Sequence, residues 1–150
     1  MSMRLADVRA LAHGVDRLVL WLRRSTPAEY SSSTMSALDR LQSEGPLRVS
    51  ELARREAMTQ PGVTVLVNRL AESELAERVP DPTDGRASLV RITAAGVEAI
   101  TRRHDARASV LRERIAALTE DDQQLILAAL PAIERLVSEP PTTGARGRNS

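Results

Sequence analysis

The segment from Pro80 to Arg86 most limits the folds that this chain can adopt. Its seven residues read Pro-Asp-Pro-Thr-Asp-Gly-Arg, a composition that favours turns and interrupts helices. Short apolar segments, residues 76–79 and 87–92, flank it and have the length and composition of strands. The pattern predicts a β-hairpin with a long polar tip.

Helical periodicity surrounds this hairpin on both sides. Apolar residues recur at three- and four-residue steps in the segments 5–24, 35–41, 63–70, 97–118 and 126–137. That spacing is typical of helices with one buried face. The chain is therefore predicted to be mainly α with a small β-hairpin wing.

Two short helices with little chain between them precede the hairpin. Gly45-Pro46 ends the helix before them, and residues 47–49 are expected to be extended. Ser50 and Thr59 are the expected N-caps of the two helices, and Pro61 is tolerated in a first turn, where amide protons lack helical partners. Two helices joined by a very short turn and followed by a wing predict a winged helix-turn-helix.

Composition excludes several classes of protein. The chain has 150 residues, with no phenylalanine and two histidines. It has no cysteine, which rules out disulfides and thiolate metal sites. There is no nucleophile elbow, no glycine-rich phosphate loop and no metal-ligand spacing. We therefore expect neither enzymatic activity nor a cofactor. No apolar run suits a membrane span and no signal peptide is recognised, so a cytoplasmic location is expected.

Charge does not by itself identify a partner. The net charge is +1, and all 21 basic residues are arginines. Arginine suits phosphate and base-edge contacts, but a GC-rich genome gives the same bias and is the favoured explanation.

The outer side of the helix from Thr59 carries groups that can read bases. Gln60 and Asn68 can pair with adenine edges, Arg69 with guanine or phosphate, and Thr64 with either. Taken alone, this pattern fits an ordinary amphipathic helix better. The wing favours DNA binding instead, because Arg86 at its tip can enter a minor groove. Asp84 is expected to orient Arg86 or to brace the tip. The candidate DNA-contacting residues are Thr59, Gln60, Pro61, Gly62, Thr64, Val65, Asn68, Arg69, Asp84 and Arg86.

The segment from Leu47 to Gly96 resembles the MarR family of bacterial transcription regulators. The segments that carry the resemblance are Val49-Ser50-Glu51-Leu52-Ala53, Gly62-Val63-Thr64-Val65-Leu66-Val67-Asn68-Arg69-Leu70, Asp81-Pro82-Thr83-Asp84-Gly85-Arg86 and Ile92-Thr93-Ala94-Ala95-Gly96. Three features differ from the family pattern: Val65 stands where a basic or polar residue is common, Glu74 stands where glycine is common, and the turn Glu56-Ala57-Met58 lacks a glycine.

The resemblance implies a homodimer that represses genes from a palindromic operator and is released by a small aromatic or phenolic ligand. It also implies that the helix from Thr59 enters the major groove and that Arg86 reaches the minor groove. The corresponding division of the chain is an N-terminal dimerisation helix in 1–30, a winged helix-turn-helix in 31–92, C-terminal dimerisation helices in 93–138 and a disordered tail in 139–150.

The terminal helices favour a dimer on physical grounds as well. Their long apolar faces need a cover, and a second chain is a better cover than the alternative, a monomeric bundle. His13, Arg17 and Trp21 follow one another at four-residue steps and form a candidate site for an anionic aromatic effector. The alternative there is that Trp21 packs at the interface and Arg17 forms a surface ion pair. His104, on the apolar stripe of the long helix, is expected in the core.

A second functional hypothesis stays open. A winged helix can serve as a protein–protein interaction module without binding DNA. The near-neutral charge and the apolar Val65 on the reading side support that hypothesis.

Overall fold

The computed structural model describes residues 3–138. The elements in chain order are α1 Leu5–Ser25, α2 Ser32–Glu44, β1 Leu47–Arg48, α3 Val49–Arg55, α4 Gln60–Glu72, β2 Ala76–Pro80, β3 Ser88–Ile92, α5 Ala94–Ala116 and α6 Glu120–Val137. The expectation of a mainly helical fold with a wing and a helix-turn-helix is confirmed. The expected tail, 139–150, lies outside the described residues.

The chain divides into two units. The first extends to Val110 and contains α1 to α4, the sheet and most of α5, and the second starts at Leu111. In the second unit, α6 has no buried residue. No helix within residues 3–138 is long and apolar enough to cross a membrane.

The core of the first unit is aliphatic. It is built from α2, α3, α4, the sheet and the start of α5, and its fully buried side chains include Leu38, Leu41, Leu52, Leu70, Val63, Val67 and Val90. Burial of each such side chain stabilises the fold by roughly 1.5–3 kcal/mol. This core fixes the helix-turn-helix against the wing.

Side-chain caps define where most of the helices begin. Ser31, Thr59, Thr93 and Thr119 accept hydrogen bonds from the backbone three residues further on, at 3.2, 3.3, 3.1 and 3.2 Å. The expectation that Ser50 caps α3 is wrong. The helix starts at Val49, and the Glu51 carboxylate accepts from the Arg48 N–H at 3.0 Å, so this carboxylate replaces the expected hydroxyl cap.

The sheet has the order β1-β3-β2, with both pairs antiparallel. Val90 in the central strand pairs with Leu47 on one side and with Arg78 on the other. The hairpin of β2 and β3 is the wing, and its tip lies between Pro80 and Ser88.

Both helices of the helix-turn-helix end in the same backbone motif. After α3, the Met58 N–H donates to the Ala53 carbonyl at 2.9 Å, and after α4 the Leu75 N–H donates to the Leu70 carbonyl at 2.9 Å. This is the Schellman arrangement, which needs a left-handed residue just before the donor. Those residues are Ala57 (φ 50°) and Glu74 (φ 57°), and neither is glycine.

The start of α5 is held against the end of α4. The Thr93 hydroxyl donates to the Glu74 carbonyl at 2.6 Å, and the Thr93 N–H donates to the Leu75 carbonyl at 3.1 Å. A Cβ at Gly96 would overlap that Leu75 carbonyl oxygen and lie 2.7 Å from Ile92 Cγ1. Only glycine permits this approach of α5.

The inward face of α5 differs from the expected stripe. Ala99 and Ile100 are buried, and Arg103 and Arg107 continue the face half-buried, whereas His104 is exposed. The expectation of a core histidine is therefore wrong for this protomer. Arg103 reaches Asp39 of α2, with Nη2 2.9 Å from Oδ2, and that ion pair allows a charged residue on the inner face.

Candidate nucleic-acid interface

Helix α4 presents one buried and one exposed face. The buried residues are Val63, Leu66, Val67 and Leu70. The exposed candidates are Gln60, Pro61, Val65, Asn68 and Arg69, while Gly62 and Thr64 are half-buried. An α-helix fits the major groove of B-DNA, so the exposed face is the candidate reading surface.

Some polar groups of this helix already have partners. Thr59 Oγ1 accepts from the Gly62 N–H and caps the helix. The Thr64 hydroxyl donates to the Gln60 carbonyl at 2.9 Å. The proton of the Thr64 hydroxyl is therefore engaged inside the helix, whereas the Thr59 hydroxyl only accepts in its bond and can still donate its proton to a base.

Arg78 extends the surface beyond α4. Its Nη2 donates to Asn68 Oδ1 at 3.2 Å, which joins β2 to the reading helix. The bond also fixes the orientation of the Asn68 side-chain amide, because an arginine can only donate and must therefore meet the amide oxygen. The Nδ2 group of Asn68 is left to donate to another acceptor. Sequence reasoning did not find Arg78; ten residues separate it from Asn68, and only the packing of β2 against α4 shows that they meet.

Two aspartates brace the tip of the wing. Asp81 Oδ1 accepts from the N–H and the hydroxyl of Thr83 at 2.8 and 2.7 Å. Asp84 Oδ1 accepts from the Arg86 N–H at 3.1 Å, so Asp84 braces the backbone of the tip. The Arg86 residue itself is exposed.

Arg48 connects the wing to the start of α3. Its Nη2 lies 2.5 Å and its Nε 2.7 Å from Asp81 Oδ2. The bonds from Thr83, and then the charge and hydrogen bond of Arg48, lower the pKa of Asp81 to about 2, although burial opposes this shift. The pKa of Arg48 is raised in turn by Asp81. The turn-forming residues of this segment predicted the tip of a hairpin, but they did not predict this ion pair.

A second ion network holds the turn between α3 and α4. Arg40 of α2 places Nε 3.2 Å from Glu56 Oε1 and Nη1 2.8 Å from Glu44 Oε1. Ser36 donates to Glu56 Oε2 at 2.6 Å. These contacts raise the pKa of Arg40, chiefly through Glu44 and then Glu56. The network fixes α2 against the helix-turn-helix.

A crevice of about 270 Å³ lies among the end of α1, the loop after it, α2 and α5. Two polar atoms of its lining residues, Thr26 Oγ1 and Arg103 Nε, are buried and have no hydrogen-bond partner among residues 3–138. Arg107 also lines the crevice, and its pKa is lowered, first by burial and then by the charges of Arg103 and Arg23. An anion here would offset this concentration of positive charge.

The sequence-derived effector candidates lie elsewhere on α1. His13 and Arg17 are exposed, and Trp21 is half-buried. The residues that line the crevice begin with Leu22 and do not include these three. Within residues 3–138, no cluster of three or more His, Asp or Glu side chains has the arrangement of a metal site.

Comparisons with known proteins relate most of the chain to transcription regulators. Residues 30–87 match the model of the MarR family. The chain is 35% identical over 139 residues to an HTH-type transcriptional regulator of Mycobacterium tuberculosis, covering 92% of this chain and 96% of the relative. It is 28% identical over 93 residues to the HTH-type transcriptional repressor IacR of Pseudomonas putida, covering 62% and 56%.

The fold agrees with these matches. A MarR family protein from Bacillus stearothermophilus superposes with a TM-score of 0.71 at 20% identity, covering 90% of this chain and 98% of the other.

Proposed function

The chain belongs to the MarR family of transcription regulators, and from that premise we propose that it is a homodimeric repressor that binds a palindromic DNA site. One observation carries the proposal: α4 exposes a face opposite its buried stripe, and a braced wing with an exposed Arg86 belongs to the same unit. The name of the Pseudomonas relative supports repression.

The two parts of this surface have different tasks. The exposed side chains between Thr59 and Arg69 meet base edges in the major groove, and phosphate contacts by arginines supply most of the affinity. Arg86 reaches the minor groove, where a narrow width strengthens the negative potential. Residues 31–92 form the DNA-binding unit.

Dimerisation is supported by uncovered apolar faces. In α1, which has no buried residue, Leu5, Val8, Leu11, Val15 and Leu18 are exposed. The last helix, α6, likewise exposes Leu125, Leu130, Ile133 and Leu136. A second copy of the chain covers these apolar faces, which belong to the proposed dimerisation segments 1–30 and 93–138, and two-fold symmetry then sets the two recognition helices about 34 Å apart.

The crevice beside Thr26 is the candidate effector site. An aromatic carboxylate would place its ring against the apolar wall, which includes Met35 and Ala99, and its charge beside Arg103 and Arg107. Arg103 also pairs with Asp39 of α2, so an anion would compete for a contact that joins α5 to the DNA-binding unit. His13, Arg17 and Trp21 are the alternative effector site.

The test is gel-shift binding to the DNA upstream of the chain's own gene, against random competitor, at physiological salt. We expect a specific shift that narrows to an inverted repeat, weakens steeply with salt and is reduced in Arg86→Ala. If no duplex in a random library is bound more tightly than competitor, the proposal fails and the protein-interaction alternative replaces it.

A further inference from the structure

We propose that Pro61 and Val65 form an apolar strip on α4 that reads the C5-methyl group of thymine in the major groove. The inference rests on the proposed function, since it concerns how the same helix selects its DNA site.

The strip occupies the middle of the exposed face. Val65 lies midway along the chain between the buried Val63 and Val67, so helical geometry turns it away from the core. Pro61 lies one turn earlier on the same face and is also exposed. Helix-turn-helix proteins contact base edges with the first residues of the recognition helix, which is the part of α4 that these two residues occupy.

The exposure of Val65 has no explanation within the protomer. The Val65 side chain is 51% exposed. In the first unit, within residues 3–110, every other exposed large apolar side chain belongs to the segment from Met3 to Leu20. Those residues belong to the segment for which we propose a second copy as cover. Val65 is on α4, whose exposed face meets DNA in the proposed function, so an apolar group on the DNA would cover it.

Thymine supplies that group. Its C5-methyl is the apolar feature that a base pair displays in the major groove, where the other groups are hydrogen-bond donors and acceptors. Pro61 has no N–H, and Val65 has no polar side-chain atom, so neither can pair with a donor or acceptor. Beside them, the Thr64 hydroxyl is bonded to the Gln60 carbonyl, which further weakens polar reading at this point.

Asn68, one turn from Thr64 on the same helix, completes the site. Arg78 occupies its Oδ1, so its Nδ2 is the group left to donate to a base acceptor. Thymine O4 and the N7 atoms of purines are acceptors in the major groove. The combination favours a DNA site in which a thymine methyl group lies against Val65 and a base acceptor lies within reach of Asn68 Nδ2.

The experiment uses deoxyuridine, which pairs like thymidine but lacks the methyl group. The full-length protein first selects its preferred duplex from a random library of double-stranded DNA. Each thymidine of that duplex is then replaced singly by deoxyuridine, and the Kd is measured for the wild type, for Val65→Ala and for Arg86→Ala. Thermal unfolding checks that the variants are folded.

We expect at least one position where loss of the methyl weakens wild-type binding about fourfold, the value for one buried methyl group. At that position Val65→Ala binds both duplexes equally, whereas Arg86→Ala is weaker on both but keeps the fourfold difference. If no position costs the wild type affinity, or if Val65→Ala shows the same loss, the methyl reading is overturned while the proposed function stands. Failure to select any preferred duplex overturns both.

Discussion

The guanidinium of Arg48 and the carboxylate of Asp81 meet across 33 residues of sequence, with Nη2 2.5 Å from Oδ2. Arg48 is the residue before α3, and Asp81 begins the tip of the wing. The pair therefore joins the helix-turn-helix to the wing at one point. Its carboxylate is buried, although the tip beyond it is exposed.

The stability that Asp81 contributes depends on pH. Its pKa of about 2 in the folded chain is below the ordinary 3.8, so the contribution is complete above pH 3.8 and is lost as the pH falls towards 2. In urea unfolding, the difference between wild type and Asp81→Asn should be constant at neutral pH and shrink between pH 4 and 2. Thr83→Ala should make this loss smaller and end it at a higher pH, because Thr83 is the largest cause of the shift. A difference independent of pH would contradict the assignment.

The same ion pair should matter for DNA binding. Arg48→Ala removes the brace of the wing, so we expect weaker binding even if Arg48 does not touch DNA. Arg86→Ala is expected to weaken binding by about tenfold, the size of one good groove contact. If Arg48 acts by placing Arg86, the double variant should bind no more weakly than Arg86→Ala, as a double-mutant cycle would show. Additive losses would mean that Arg48 contacts DNA itself.

Glycine should stabilise the two left-handed positions. Glu74→Gly and Ala57→Gly each remove a cost of about 1–2 kcal/mol for a side chain at positive φ. Part of that gain is offset by the greater freedom of glycine in the unfolded chain, so we expect about 1 kcal/mol more stability in urea unfolding. Ser73→Gly is the matched control, since Ser73 has φ −88°, and it should not stabilise.

The crevice beside Thr26 should prefer anions. Benzoate is expected to raise the unfolding temperature, and benzamide, the neutral analogue of similar shape, to have little effect. Replacing Arg107 by Gln should abolish the benzoate shift, because it removes a positive charge that an anion would stabilise. Burial and the neighbouring arginines lower the pKa of Arg107, and a bound carboxylate would offset that effect. Arg17→Gln is the control for the alternative site on α1. Loss of the shift in Arg17→Gln alone would transfer the effector site to His13, Arg17 and Trp21.

Charged residues on the apolar face of α1 should separate the dimer. Leu11 and Leu18 are about half exposed in the protomer, and Leu11→Glu/Leu18→Glu would place two carboxylates in the proposed interface. Light scattering should give about twice the 16.4 kDa chain mass for the wild type and one chain mass for the variant. Ala10→Glu, on the far side of the helix, should leave the wild-type mass. A wild type at one chain mass would refute the dimer.

Local sequence signals predicted the elements but not the contacts between distant residues. The hairpin followed from its turn formers and the cap of α4 from Thr59, because these effects act within a few residues. The Arg48–Asp81 and Asn68–Arg78 contacts depend on how strands and helices pack, and no spacing in the sequence indicates them. The apolar stripe of α5 was misjudged at His104 for a related reason: an ion pair with Asp39 lets Arg103 occupy the inner face.

The ends of α4 are fixed by groups other than Pro61 and Val65, which form its apolar strip. Thr59 caps its start, the Leu75 N–H closes its end, and Thr93 and Gly96 hold that end through the main chain. Pro61 and Val65 contribute little to these attachments. Substitutions on the outer surface can therefore accumulate at small cost in stability, and a new operator preference can arise by exchange of a few exposed side chains while the scaffold is unchanged.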